Sequence, residues 1–231
     1  MLRAVVFDLD YTLAVPSRTR EVILQDATAE ADAPELSREA YLEAHSENLT
    51  RETREPIFAD LLEGRETDAD PETLAKTYRE TIAESLEALP GVEAMLEDLA
   101  AEYRVGLLTN GPVRAQRDKL ETLGWEDAFD AALVTGELEA GKPDPRAFEA
   151  ITTELDVDPA EALYVGDDVE ADVAGGTNAG LSVVQVLLED GPGKDPRADA
   201  AVEQSAIADS LPEIVASLER RVGVPSDASN R

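Results

Sequence analysis

The first apolar run, Arg3-Ala4-Val5-Val6-Phe7, stops at Asp8. A short run of β-branched and aromatic residues ended by a charge predicts a buried strand. From Arg18 to about Leu89 the pattern changes. Charged residues recur, and apolar ones fall at helical spacing: Ile23, Ala27, Ala31; Tyr41, Leu42, His45; Ile57, Leu61, Leu62; Leu74, Tyr78, Ile82, Leu86. That spacing predicts successive amphipathic helices. Asp70-Pro71 reads as a helix start, with an acid at the N-cap and proline in the first turn. Leu89-Pro90-Gly91 closes the block as a hinge.

Beyond the hinge, strands and helices alternate. Helices are expected near 92–102, 113–123, after Asp144-Pro145, near 170–179 and near 210–221. Strands are expected at 103–109, 131–134, 162–165 and 181–187. Such alternation predicts an α/β fold, a doubly wound parallel sheet of Rossmann-like form. The core is assigned to 1–15 and 90–225, with an α-helical cap domain at 16–89 inserted after the first strand and a polar, frayed tail at 226–231. Residues 190–198, rich in Gly, Pro and Asp, read as a loop.

Composition narrows the setting. No stretch is long and apolar enough for a membrane span. The N-terminal apolar run is too short for a signal peptide, so a cytoplasmic protein is expected. Cysteine is absent, which excludes disulfides, thiolate metal sites and a cysteine nucleophile. Fifty-one acidic residues face 20 basic ones, for a formal charge of −31, and only Lys76, Lys119, Lys142 and Lys194 are lysines. Acid spread this evenly points to a halophilic cytoplasm, where salt screens the repulsion; an ordinary acidic protein is the alternative. Nucleic acid and acidic membranes are excluded as partners by charge.

Four polar clusters follow predicted strands, where ligands gather in doubly wound sheets. Asp8 and Asp10 stand two residues apart. Two such carboxylates repel unless a cation lies between them or one is protonated, and one can act as nucleophile while the other donates a proton. A polar turn accounts for the same pattern. Thr109-Asn110-Gly111 offers a hydroxyl and an amide to phosphoryl oxygens, or simply caps a helix. Lys142, between Gly141 and Pro143, offers a point positive charge to phosphate, or is a solvated loop lysine. Val165-Gly166-Asp167-Asp168-Val169-Glu170-Ala171-Asp172 sets hard oxygen ligands suited to Mg2+ after a strand, in a chain rich in acid everywhere.

In this order the clusters resemble the haloacid dehalogenase superfamily, with Asp8 and Asp10 in its first motif, Thr109 in the second, Lys142 in the third, and Asp167 with Asp172 in the fourth. Gly175-Gly176 and Asn178-Ala179-Gly180 fit the same pattern. The gap from Asp8 to Thr109 accommodates the family's helical cap, and that from Lys142 to Asp167 leaves no room for a second. Thr109-Asn110-Gly111 with Gln116 and Lys119 looks most like the capped phosphatase subgroup of N-acylneuraminate-9-phosphatase and the small-substrate nucleotidases. An acid at Asp10 is similar to the family's phosphatases and phosphomutases rather than its dehalogenases. Tyr11 stands where the family more often has Asp, Gly or Asn.

The resemblance implies a Mg2+-dependent phosphatase that hydrolyses a small phosphorylated metabolite through an aspartyl-phosphate. Asp8 would be the nucleophile and Asp10 the acid and base. Thr109, Asn110 and Lys142 would bind the phosphate. Asp8, the Asp10 carbonyl and Asp167 would hold the metal, with Asp168 and Asp172 behind them. A phosphomutase of the same fold and a non-catalytic phosphate-binding module are the alternatives. Tyr41, His45, Arg51, Arg54, Lys76 and Tyr78 are the candidate cap contacts to substrate. Among them His45 fits a packed or surface residue better, and Arg51 and Arg54 fit a solvated helix face.

Overall fold

The structure, a computed structural model, describes residues 1–222. The expected tail at 226–231, and the end of the core at 225, lie outside the described residues.

Strand β1 (Ala4–Phe7) is buried along its whole length. Its side chains alternate between two faces, as strand geometry requires. Val5 and Phe7 join one apolar cluster with residues of α5 (Val92–Ala100) and α9 (Ile207–Val222). Ala4 and Val6 join another with residues of α7 (Pro145–Glu154). A strand covered on both sides must be apolar throughout, which is the pattern of a parallel sheet. Each fully buried Val, Leu, Ile or Phe contributes about 1.5–3 kcal/mol.

The remaining sheet strands are β4 (Arg104–Thr109), β5 (Ala131–Val134), β6 (Ala162–Gly166), β7 (Ser182–Leu187) and β8 (Ala200–Glu203). All pair in parallel, in the order β5-β4-β1-β6-β7-β8. The chain therefore winds outward on one side of β1 and returns on the other. The carboxyl ends of β4, β1 and β6 meet at this reversal, where a crevice forms.

Between β1 and β4 lies a helical block: α1 (Arg20–Glu30), α2 (Arg38–Ser46), α3 (Glu55–Leu62) and α4 (Pro71–Ser85). Side-chain oxygens of Thr19, Ser37 and Asp70 cap α1, α2 and α4. The block has its own apolar core, which includes Ile23, Tyr41, Phe58, Leu74 and Tyr78. The chain enters and leaves through an antiparallel ladder of β2 (Ala14–Pro16) and β3 (Leu86–Ala88). Leu89 N–H donates to the Leu13 carbonyl beside it. This ladder and β8 were not among the expected strands. Each is three or four residues long, too short to set a period, and forms only by pairing.

The block also docks on α6 (Val113–Leu123). Pro112 at its N-cap offers no side-chain acceptor, leaving first-turn amides unpaired within the helix. The Arg51 and Glu52 carbonyls accept from Val113 and Arg114 N–H at 2.9 and 3.0 Å. Two further departures concern the expected helices. The helix expected near 170–179 is a π-helical turn at Val169–Ala174 followed by the short α8 (Gly175–Asn178). The last helix starts at Ile207, ahead of Pro212, because Ile207, Leu211, Val215 and Leu218 continue one buried stripe.

Candidate active site

Asp8 is the first residue beyond β1, and Thr109 and Gly166 end the two strands beside it. Lys142 arrives from the loop after β5 and is 2% exposed. Its Nζ donates at 2.7 Å to Asp8 Oδ1, to Asp172 Oδ1 and to the Tyr164 hydroxyl. Burial alone would lower the pKa of this ammonium, but the Asp172 and Asp8 carboxylates hold it well above the ordinary lysine range. Asp8 sits in the converse position. Burial raises its pKa, Lys142 opposes, and Asp172 adds repulsion, leaving it pushed up to about 7. Asp167 is pushed up to about 9 by burial and by the Asp172 and Asp8 charges. Lys142 is thus a buried counter-ion, and the solvated-loop alternative does not hold for it.

Asp10 meets a different set of partners. Arg20 Nη2 donates to its Oδ1 at 2.5 Å, Gln116 Nε2 to its Oδ2 at 3.1 Å, and Lys119 Nζ makes a close ion pair with Oδ2. Burial works against the carboxylate, but Lys119 and Arg20 outweigh it and hold Asp10 well below the usual carboxylate range. In this arrangement Asp10 is ionised, carries no proton to give and is by itself a weak base. Burial lowers the pKa of Lys119 to about 7 despite the neighbouring Asp10.

The loops that present these groups are fixed by further bonds. Asp172 is filled on both oxygens, Oδ1 by Lys142 and Tyr164, Oδ2 by Asp168 N–H at 3.0 Å. Asp168 is exposed, and its Oδ1 accepts from Glu170 and Ala171 N–H, so it shapes the turn after Asp167. Thr109 Oγ1 accepts from Gln116 Nε2 at 2.6 Å. The Asn110 side chain is bonded twice to the Lys142 backbone. One Nδ2 hydrogen is not taken by these bonds, so the amide can brace Lys142 and still meet a phosphate oxygen. Tyr11 has φ 62, in the left-handed region. Gly, Asn and Asp enter that region with least strain.

These groups open into a cavity of about 540 Å³, whose far wall comes from the helical block. Tyr41, His45, Arg54 and Tyr78 line it, together with Arg38. Arg51 and Lys76 do not. Arg54 is only 7% exposed, so the expectation of a solvated helix face fails for it. The docking of residues 51–52 on α6 carries it inward. His45 stacks on Tyr41 with ring centroids 5.8 Å apart, a packed residue as expected. Burial and the charges of Arg54, Lys119 and Arg38 lower its pKa to about 3.

The haloacid dehalogenase-like hydrolase family profile matches residues 5–186. This chain belongs to that family. It is 33% identical over 210 residues to the N-acylneuraminate-9-phosphatase of Rattus norvegicus, covering 82% of this chain and 84% of that one. It is 32% identical over 216 residues to the glyceraldehyde 3-phosphate phosphatase of Methanopyrus kandleri, covering 86% and 90%. The match to the human N-acylneuraminate-9-phosphatase spans about half of either chain, 49% and 46%, at 37% identity. Among solved structures, the fold is similar to that of a phosphatase of the haloacid dehalogenase type from Thermococcus onnurineus. That likeness has a TM-score of 0.64 and 26% identity, over 93% of this chain and 98% of that one.

In this haloacid dehalogenase-like hydrolase the acids fit a hard divalent cation. One oxygen each from Asp8, Asp167 and Asp172 lies within 4.8 Å of the others. The donors are oxygen only, as Mg2+ prefers. Asp172 already accepts from Lys142, Tyr164 and the Asp168 N–H, so Asp8 and Asp167 have more acceptor sites left for an ion. Among the described residues, Asp167 has only a long contact from Thr12 Oγ1, at 3.5 Å. Sequence reasoning missed Arg20, Arg38 and Tyr164 as members of the site. Arg20 and Arg38 sit near helix starts among many charges, and nothing in their spacing marks them. Tyr164 alternates within a strand, and only the tertiary fold reveals that its hydroxyl meets Lys142.

Proposed function

We propose that this hydrolase is a Mg2+-dependent phosphatase acting on a small phosphorylated metabolite through an aspartyl-phosphate. The observation that supports this reading most is Lys142 Nζ, bonded at once to Asp8, Asp172 and Tyr164 beside the Asp167 carboxylate. A bound divalent cation, held by Asp8, the Asp10 carbonyl and Asp167, would neutralise phosphate charge and act as a Lewis acid. Lys142 supplies a second positive charge, so that the anionic Asp8 can approach an anionic phosphate. An Asp8 oxygen attacks phosphorus as the bond to the leaving oxygen breaks. The leaving oxygen takes a proton from the Asp10–Lys119 pair, in which Lys119 is poised near neutrality. Water then gives a proton back to that pair and attacks phosphorus, releasing Asp8 and inorganic phosphate. Asn110 and Asp168 act by positioning Lys142 and Asp167. The helical block at 16–89 serves as the cap that closes the cavity against water. No helix among the described residues is long and apolar enough to cross a membrane.

The test is a panel of phosphate monoesters with Mg2+ in high salt, with Asp8→Asn in parallel. Phosphate release that stops with chelator and falls at least about a hundredfold in Asp8→Asn is expected. A folded protein that releases no phosphate from any ester sinks the reading.

A further inference from the structure

The acids that line the cavity all lie outside the helical block, which contributes Arg20, Arg38 and Arg54 and no acid. Arg20 and Lys119 share Asp10. Arg38 and Arg54 have no ion pair among the described residues, although the chain carries 51 acids. Arg54 is 7% exposed, and its Nε and Nη1 are buried without a hydrogen-bond partner. Arg38 Nη1 is in the same state. Each guanidinium lies over an aromatic ring, Arg38 over Tyr41 at 5.1 Å and Arg54 over Tyr78 at 5.4 Å. Such stacking offsets only part of what an unpaired buried charge costs. The stack holds the forks in place and leaves their N–H groups unsatisfied. Arg54 also borders a smaller cavity of about 200 Å³, where Glu55, Asp70 and Glu72 stand among Lys76, Arg79 and Arg114.

We infer that Arg54 and Arg38 form a subsite for a second oxyanion on the substrate, a carboxylate or a further phosphate, beyond the phosphate that Asp8 attacks. The inference rests on the phosphatase reading and names its substrate class. A guanidinium presents parallel N–H donors in a rigid fork that matches either oxyanion. Arrival of such a group would neutralise a wall that has no acid of its own. A substrate with an uncharged tail would leave both arginines as they are.

Calorimetry with non-hydrolysable phosphonates and excess Mg2+ tests this. The probes are phosphonoacetate, 3-phosphonopropionate and methylenediphosphonate, against methyl-, ethyl- and propylphosphonate. At least one two-anion probe should bind about tenfold or more tightly than its alkyl match. In Arg54→Met, which keeps a flexible side chain against Tyr78, that ratio should fall to about one; in Arg38→Met it should fall in part. The carboxylate and diphosphonate arms tell which oxyanion is preferred. If Arg54→Met does not fold, Arg54→Lys and Arg38→Met must lower the ratio. A ratio of one in the native protein, or one unchanged in the folded variants, overturns the subsite. Hydrolysis of p-nitrophenyl phosphate is measured alongside. Turnover with a ratio of one removes the subsite alone, and a preserved ratio without turnover removes the phosphatase reading alone.

Discussion

Asn110 and Lys142 are joined by two hydrogen bonds. The Asn110 Nδ2 donates to the Lys142 carbonyl, and its Oδ1 accepts from the Lys142 N–H, both at 2.9 Å. The pairing fixes the orientation of the amide, since the reverse would set donor against donor. It also locks the loop that carries Lys142 to the end of β4. Asn110→Asp removes the donor and turns a carboxylate oxygen toward the carbonyl. Stability should fall by about 1–3 kcal/mol, the cost of a broken buried bond. Turnover should fall roughly tenfold or more with little change in KM, because Lys142 is misplaced while its charge remains. Steady-state kinetics and a thermal melt check this; a large rise in KM at unchanged kcat would instead make Asn110 a direct phosphate ligand.

Gly166 ends β6 with no room for a side chain. A Cβ there would lie 2.4 Å from Asp172 Oδ2 and 2.5 Å from Asp172 Cγ. Gly166→Ala must therefore push Asp172 aside and break its bonds to Lys142 and Asp168. Activity should drop by about 10- to 100-fold, the range seen when groups supporting a metal site are lost. Circular dichroism should stay native. Normal Mg2+ dependence and turnover in this variant would show that Asp172 does not position Lys142.

Mg2+ binding should strengthen as pH rises. Burial and neighbouring carboxylates push Asp8 up to about 7 and Asp167 up to about 9, from an ordinary value of about 3.9. Below those values the metal-free protein holds protons that the ion must expel. Calorimetry at pH 6 in buffers of different ionisation enthalpy should detect release of about one proton or more per ion. The sign carries over to the fold. The native state keeps protons on these groups that the unfolded chain has already lost. The two groups therefore make metal-free stability fall as pH rises from about 4 through 9, and Mg2+ should restore it. Proton-neutral binding at pH 6 would contradict both.

Stability should depend steeply on salt. A formal charge of −31 produces long-range repulsion at 0.01 M, where the Debye length is about 30 Å. At 1 M it is about 3 Å, and the repulsion disappears. The thermal midpoint should rise across a KCl series and activity should follow. Sucrose at matched water activity serves as the control. A flat midpoint would remove the halophile reading and leave the chemistry of Asp8 untouched.

The sequence by itself determined the parallel sheet, the inserted helical block and the line of groups Asp8, Thr109, Lys142 and Asp167. Each is written locally. Val5 and Phe7 alternate with Ala4 and Val6, helices carry their caps at Asp70 and Asp144, and Asp8, Thr109 and Asp167 stand at the ends of apolar runs. What a group meets across the fold is not local, and the tertiary structure decided it. Asp10 is ionised because Arg20 and Lys119 converge on it from two different helices. Asn110 is bonded to the Lys142 backbone because β4 and the loop after β5 end side by side. Arg54 is buried because the Arg51 and Glu52 carbonyls fill the open amides of α6, a contact that helical periodicity cannot encode. A period of 3.6 residues tells which side of a helix is apolar; only packing tells which charge ends up facing another.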